Sequence, residues 1–277
     1  MSIITISHEA FGDGRTVAER VAAILSYRCI SKEVLTTASQ RYGISETKLF
    51  EVLEEKPHSW WKQWLESRGI YRIALQAAVC ELAQEGNIVY HGRAGQEFFP
   101  GIRHVLNVFL DTPTESRIKH VMARKGLAAE AAKKYLEELD RIRARRMREL
   151  FKVDWRDPTR YDLVLSTAKT TVDTAARMIA EVSQREEYRP NAESIQAMKD
   201  LTITSRVEAM LIASRLEISN LEVATRAGEV HVGGVILAES IENLAADRIK
   251  KIPGVNRVIT HFVVTGAEHC LYYGDAR

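Results

Sequence analysis

Residues 2–22, SIITISHEAFGDGRTVAERVA, are the segment that best indicates the fold class of this chain. The apolar run over residues 2–7 predicts a short buried strand. Gly12 and Gly14 then predict a tight loop, and apolar residues recur at helical spacing over residues 17–25. Strand, glycine loop and helix in this order form the opening unit of a parallel α/β domain.

The glycine loop carries groups that suit a phosphate. Backbone amides in such a turn can point at one anion, and the helix that follows adds the positive end of its dipole. Arg15 takes the place of the lysine in the phosphate-loop pattern, and Thr16 is the predicted hydroxyl ligand of Mg²⁺. The first glycine of that pattern is replaced by Glu9, so an ordinary turn between a strand and a helix is the alternative interpretation. The predicted nucleotide-binding residues are Gly12, Asp13, Gly14, Arg15 and Thr16.

The remaining pattern divides the chain into two folded parts. Residues 87–90, 104–110 and 161–166 predict further strands separated by helices, which indicates a parallel sheet covered on both faces. The polar stretch SQREEYRPNAES, which contains Pro190, indicates a domain boundary. We therefore predict an α/β domain over 1–185, a linker over 186–197, a small α-β-β-α-β domain over 198–266 and a tail over 267–277.

Arg93 follows the strand predicted over residues 87–90 and is flanked by Gly92 and Gly95. Ligands of open parallel sheets bind at the carboxyl ends of the strands, where this arginine is expected. A guanidinium group can hold a phosphate through two hydrogen bonds. We therefore predict that Arg93 binds a substrate phosphate; a surface arginine in a loop is the alternative.

A second basic element is the helical stretch DRIRARRMREL, in which residues 141–148 contain five arginines. Arg141, Arg145 and Arg148 share one helical face. Phosphoryl transfer needs such side chains, because charge on the moving group must be stabilised. A solvated helix face paired with neighbouring acidic residues is an equally good interpretation for any single arginine.

Together these segments resemble a known family. GRTVAERVA, NIVYHGRAG, FLDTPTESRIKHVMARKG and YDLVLST are similar, in order, to blocks of the cytidylate kinase-like proteins among the P-loop nucleoside monophosphate kinases. The resemblance covers residues 2–182. It implies a five-stranded parallel core, an arginine-rich lid, and transfer of the ATP γ-phosphoryl group to a nucleoside monophosphate such as CMP or dCMP, with ATP and Mg²⁺ as cofactors.

The resemblance also assigns roles to individual residues. It matches the residues of the glycine loop to the phosphate loop, with Arg15 as a catalytic cation. It matches Arg93 to the arginine that holds the acceptor's phosphate, and Arg141 and Arg145 to catalytic lid arginines. Asp162 falls near the acidic position beside the base, and we expect it to bind substrate.

The chain departs from the family pattern at three places. His91 stands where the family has an aspartate before Gly-Arg, and residues 27–31 lack the usual aspartate. Ala10 and Phe11 make the phosphate loop bulkier. These departures keep open a second hypothesis, a catalytically weak or inactive nucleotide-binding regulatory protein.

The C-terminal segment GEVHVGGVILAESIENLAADRIKKIPGVNRVITHFVV resembles a BON domain. The resemblance covers residues 200–264 and implies a module that senses a small ligand or targets the protein. A domain that only packs and forms a homodimer is the alternative.

Composition excludes several classes of protein. The formal net charge of +2 does not favour a nucleic-acid partner. Three widely spaced cysteines, Cys29, Cys80 and Cys270, indicate neither a disulfide framework nor a zinc site. The N-terminus lacks the features of a secretory signal, and no apolar stretch reaches the ~18 residues that span a bilayer. We therefore expect a cytoplasmic protein.

Overall fold

The computed structural model describes residues 2–54 and 61–265. The predicted tail over 267–277 lies outside these residues. Within the described ranges, none of the helices combines the length and the apolar character needed to cross a bilayer.

The first fold unit contains five strands and eight helices in the described residues. The strands are β1 (Ile3–His8), β2 (Arg28–Ile30), β3 (Ile88–His91), β4 (Val105–Asp111) and β5 (Leu163–Ser166). The helices are α1 (Gly14–Leu25), α2 (Glu33–Tyr42), α3 (Glu46–Glu54), α4 (Trp61–Gln84), α5 (Gly95–Phe98), α6 (Thr114–Lys125), α7 (Ala129–Phe151) and α8 (Val172–Ser183).

The five strands form one parallel sheet in the order β2-β3-β1-β4-β5, which confirms the predicted sheet covered by helices on both faces. Successive side chains of β1 point to opposite faces, so Ile3 joins a core with α2, α4 and α7, whereas Ile4 and Ile6 join a core with α1 and α8. The carboxyl ends of β1, β3 and β4 therefore meet at one edge of the sheet.

The edge strand β2 is absent from the strands that the apolar pattern predicts. It has three residues, of which Arg28 is exposed and only Ile30 is buried, so it carries no readable alternation. The family resemblance, which implies five strands, is the feature of the sequence that anticipates it.

The second fold unit contains α9 (Ala192–Ala213), β6 (Ile218–Arg226), β7 (Glu229–Ile236), α10 (Glu239–Ile249) and β8 (Arg257–Val264). This order confirms the predicted α-β-β-α-β domain. Strands β6 and β7 form the expected hairpin, whose turn residues Ala227 and Gly228 both have positive φ. Strand β8 pairs in parallel with β7, and α9 and α10 pack on one face of the three-stranded sheet.

Helix α9 joins the two units. It begins inside the predicted linker, where Asn191 and Ser194 form a reciprocal capping box. Met198, near its start, is buried in the core of the first unit, whereas Val207 and Leu211 are buried in the core of the second. One continuous helix thus contributes to both cores.

Candidate functional site

A cleft that is open to solvent lies at the edge of the sheet where β1 and β3 end. The end of β1, the segment after β3, the inner face of α7 and Trp155 form its walls. Residues that line it include Ser7, His8, Arg93, Gln96, Arg143 and Trp155. The predicted substrate residue Arg93 therefore lies in this cleft.

The cleft contains hydrogen-bond donors without acceptors. Ser7 donates to Oε1 of Gln96 at 2.8 Å, and the amide nitrogen of Gln96 is buried and has no hydrogen-bond partner among the residues that the structure describes. The indole nitrogen of Trp155 is likewise buried without one. Buried donors without partners are costly, so these groups fit an anionic ligand that accepts from them. The guanidinium groups of Arg93 and Arg143 line the same cleft and supply positive charge.

His8 closes one side of the cleft as a neutral ring. Its Nδ1–H donates to the backbone oxygen of Glu9 at 2.9 Å. Burial, with added repulsion from Arg143, lowers the pKa of His8 from 6.5 to about 4. A Cβ atom at Gly14 would overlap the ring of His8, so this glycine is required by close approach.

Two side chains of α6 form hydrogen bonds with the backbone of the phosphate loop. Arg117 donates through Nε to the backbone oxygen of Ala10 at 2.8 Å, and Nδ1 of His120 donates to that of Phe11 at 2.7 Å. Helix α1 begins at Gly14, and Asp13 before it forms no side-chain cap. The first amides of a helix have no partner within it, so the amino end of α1 can receive a phosphate.

Arg15 and Thr16 are exposed on the first turn of α1. The guanidinium group of Arg15 pairs with Glu19 at 2.7 Å, and its side chain is 76% exposed. The structure therefore does not place the Arg15 side chain over the loop.

A ring of four alternating charges connects the loop to α6, α7 and the segment after α7. Glu9 lies 2.8 Å from Arg156 and 3.5 Å from Arg117, while Asp140 lies 2.7 Å from Arg117 and 2.9 Å from Arg156. Burial raises the pKa of Glu9 in spite of both arginines. Burial alone would raise the pKa of Asp140 as well, but hydrogen bonds from Arg117 and Arg156 lower it below its usual value. The ring joins the phosphate loop, α6, α7 and the segment after α7.

The arginines of α7 divide between two faces. Arg141 pairs with Glu138 at 2.7 Å, and Arg145 pairs with Glu149 at 2.9 Å, both on the exposed face. Arg143 points inward and lines the cleft. The predicted lid residues Arg141 and Arg145 are thus not brought to Arg93, whereas Arg143 is.

A signal for Arg143 was present in the sequence. The buried residues of α7 include Ala132, Leu136 and Met147, spaced for one helical face. Asp140 and Arg143 continue that same stripe. Polar residues within an otherwise apolar stripe indicate side chains that face the interior of the protein. Here Asp140 belongs to the charge ring, and Arg143 lines the cleft.

Asp162 lies away from the cleft. It precedes β5 and is exposed, and its carboxylate accepts from the backbone nitrogen of Asn107 at 2.8 Å. Asn107 is in the middle of β4, opposite Thr5 of β1, whereas the cleft lies beyond the carboxyl ends of the strands. In the structure, Asp162 therefore binds the backbone of β4 and is not among the residues that line the cleft.

Comparison with known proteins adds the family context. The sequence profile of the cytidylate kinase-like family matches residues 3–169, and that of the BON domain matches residues 199–266. A cytidylate kinase of Ignicoccus hospitalis is 26% identical over 184 residues, which cover 65% of this chain and 99% of that protein. A cytidylate kinase of Methanopyrus kandleri is 32% identical over 101 residues, covering 34% of this chain and 52% of that protein.

Among solved structures, an uncharacterized protein from Eubacterium ventriosum is similar in fold. Its TM-score is 0.51 at 23% identity, and the match covers 66% of this chain and 97% of that chain. At this identity the similarity supports the fold alone.

Proposed function

Since the chain belongs to the cytidylate kinase-like family, we propose that it transfers the γ-phosphoryl group of ATP to a nucleoside monophosphate, with CMP or dCMP as the favoured acceptors. The observation that carries this proposal is the cleft beside the phosphate loop. There, two arginines from distant segments, Arg93 and Arg143, adjoin buried donors that lack acceptors.

The acceptor's phosphate would occupy this cleft. Arg93 and Arg143 would neutralise its charge, and the amide of Gln96 would donate to a phosphate oxygen. The neutral ring of His8 adds no charge of its own and keeps water from one wall. Transfer would require the acceptor's attacking oxygen to come within about 3–3.5 Å of the γ-phosphorus of ATP.

The phosphates of ATP would bind at residues 12–16, at the amino end of α1. Arg15 would leave Glu19 and turn toward them, because an exposed ion pair one helical turn apart is weak. The exposed hydroxyl of Thr16 and the carboxylate of Asp111, at the end of β4, offer oxygen ligands of the kind Mg²⁺ prefers. Bound Mg²⁺ would neutralise charge on the phosphates.

Arg141 and Arg145 remain part of the proposal as lid residues. The pair of Arg141 with Glu138 is a local contact on the surface of α7, so exchanging it for a phosphate costs little. Arg145 is bound to the mostly buried Glu149, so its move to a phosphate would require it to leave that carboxylate. Arg143 is the arginine of α7 that lines the acceptor cleft in the structure.

A coupled assay over the common nucleoside monophosphates tests the proposal. Arg93→Met and Arg143→Met should each raise the KM of the acceptor roughly 10- to 100-fold, because a hydrogen bond to a charged group contributes about 1.5–3 kcal/mol. Arg148→Met removes an exposed charge from the same helix and is the matched control.

Absence of turnover by the folded wild-type protein with every acceptor would refute the kinase proposal. Equal KM values for the Arg143→Met and Arg148→Met variants would instead refute the assignment of the cleft as the binding site of the acceptor's phosphate. If Arg141→Met or Arg145→Met abolishes turnover while Arg143→Met does not, the lid arginines are those that the family pattern indicates.

A nucleotide-binding regulatory protein is the second proposal, and His91 favours it. This residue ends β3 as an imidazole whose pKa is lowered by burial, so it supplies no carboxylate for a metal ion. Calorimetry with ATP and Mg²⁺ separates the two proposals, because binding without turnover supports the regulatory one. In either case, the C-terminal module would sense a ligand or target the protein, and α9 would connect it to the kinase core.

A further inference from the structure

The outer face of the C-terminal sheet carries two histidines side by side. Val230 and Val232 of β7 point toward α9 and α10 and are fully buried. The alternate residues of β7, and those of β8 in register with them, therefore lie on the opposite face. His231 and His261 are diagonal neighbours there, because His231 pairs with Ile259 and His261 pairs with Gly233.

The two rings present nitrogen atoms to each other. Nδ1 of His231 lies 3.1 Å from Nε2 of His261, and the ring planes are within 9° of parallel. A Cβ atom at Gly233 would already crowd the backbone and Cβ of His261, and the glycine leaves the sheet surface beside the pair without a side chain. The pair is accessible, since the side chain of His231 is 42% exposed.

Glu229 determines which nitrogen of His231 carries the proton. Its Oε1 lies 3.1 Å from Nε2 of His231 and accepts a hydrogen bond from it. Arg257 lies 3.3 Å from the other oxygen of Glu229 and helps hold the carboxylate in place. With its proton on Nε2, His231 directs the lone pair of Nδ1 toward His261. In metal sites, a histidine ligand usually donates its other ring N–H to a carboxylate, as His231 does to Glu229.

We propose that His231 and His261 form a surface site for a divalent transition-metal ion such as Zn²⁺ or Cu²⁺. Imidazole nitrogens bind Zn²⁺ at about 2.0–2.1 Å, so two of them at a tetrahedral angle lie roughly 3.3 Å apart. The observed separation of 3.1 Å is close to that value. Rotation of the exposed rings, with the proton of His261 moved to Nδ1, would aim both lone pairs at one ion without moving the strands.

The remaining coordination positions would be open. Among the residues that the structure describes, no group of three or more histidine, cysteine, aspartate or glutamate side chains is arranged to hold a metal ion. Two imidazoles therefore supply the protein ligands, and water or a basic group of a ligand would complete the shell. Imidazole ligands favour Cu²⁺ and Zn²⁺ over Mg²⁺, so this site is chemically distinct from one that serves ATP.

Calorimetric titration of the full-length, tag-free protein with ZnCl₂, beside electron paramagnetic resonance with Cu²⁺, tests the site. Wild-type protein should bind one ion with two nitrogen ligands, and His231→Ala and His261→Ala should each lose it. Glu229→Gln should weaken binding about tenfold or more, because it removes the carboxylate that accepts a hydrogen bond from the ligand His231. A His269→Ala/Cys270→Ser variant controls for ligands in the C-terminal segment and should bind as wild type does.

Circular dichroism checks that each variant keeps its fold. Absence of bound Zn²⁺ and Cu²⁺ in the wild-type protein would overturn the proposal, and the pair would then be only a hydrogen bond between two imidazoles. Unchanged binding by the folded His231→Ala/His261→Ala variant would overturn it as well, because the ion would then sit elsewhere.

Discussion

Replacement of Arg117 by methionine is the sharpest test of how the phosphate loop is held. The side chain of Arg117 is 2% exposed and lies between two carboxylates. It makes two hydrogen bonds to Asp140, at 2.9 and 2.7 Å, and one to the backbone of Ala10. Methionine fills much of the same volume but leaves Glu9 and Asp140 with one cation instead of two.

The expected loss of unfolding free energy follows from burial. Removing one partner of a buried ion pair costs about 3–5 kcal/mol. Arg156 remains 2.8 Å from Glu9 and 2.9 Å from Asp140, so the loss should lie at the lower end, about 3 kcal/mol. Arg156→Met is the control. The side chain of Arg156 is 44% exposed, and its replacement leaves Arg117 in place. The Arg156→Met substitution should therefore lower the unfolding free energy by about 1 kcal/mol or less.

Urea unfolding followed by tryptophan fluorescence measures both variants. The four tryptophans are at positions 60, 61, 64 and 155, so the signal reports on the kinase-like domain. The double variant Arg117→Met/Asp140→Leu should lose less than the sum of its single variants, since it removes the charge that would otherwise be left unpaired. A loss for Arg117→Met below about 1 kcal/mol, or no larger than that of Arg156→Met, would refute the reasoning.

Three further predictions concern the loop and the helix that joins the two units. His8 has its pKa lowered from 6.5 to about 4 by burial. Between these pH values the unfolded chain binds a proton that the folded protein does not, so stability falls on acidification by up to about 3 kcal/mol. In the His8→Asn variant, the midpoint of urea unfolding should depend less on pH between about 4 and 6.5 than in the wild type. An unchanged dependence on pH would contradict the role of His8. Gly14→Ala should cost about 1–3 kcal/mol through overlap with His8, and a His8→Ala background should relieve most of that loss. Arg206 of α9 donates to Glu81 of α4 at 2.9 Å with both side chains mostly buried, so Arg206→Met should lower stability by about 1.5–3 kcal/mol. An unaltered melting temperature would show that this contact does not hold the two units together.

Local patterns were sufficient for the main elements of the fold. The apolar run of β1, the glycines after it and the helical period of α1 are short-range features, and the structure has all of them in place. The hairpin of β6 and β7 was readable for the same reason, because its Ala-Gly turn needs residues that tolerate positive φ. The short edge strand β2 carried too few buried residues for a pattern to appear.

The site was only partly readable. Arg93 was predictable because the end of a parallel strand lies at the ligand-binding edge. The family pattern indicates Arg141 and Arg145, which in the structure pair with Glu138 and Glu149 of their own helix, and their lid role stays a prediction. Arg143 reaches the cleft because it shares the buried stripe of Met147.

Local sequence patterns were enough to predict the parallel α/β unit, the small C-terminal domain and the loop between β1 and α1, since each depends on residues a few positions apart. Which charged groups meet is set by the packing of distant segments. Glu9, Arg117, Asp140 and Arg156 come from four segments, and His231 approaches His261 across two strands. Contacts of this kind depend on strand order, register and helix rotation, which are properties of the packed chain and leave no local pattern.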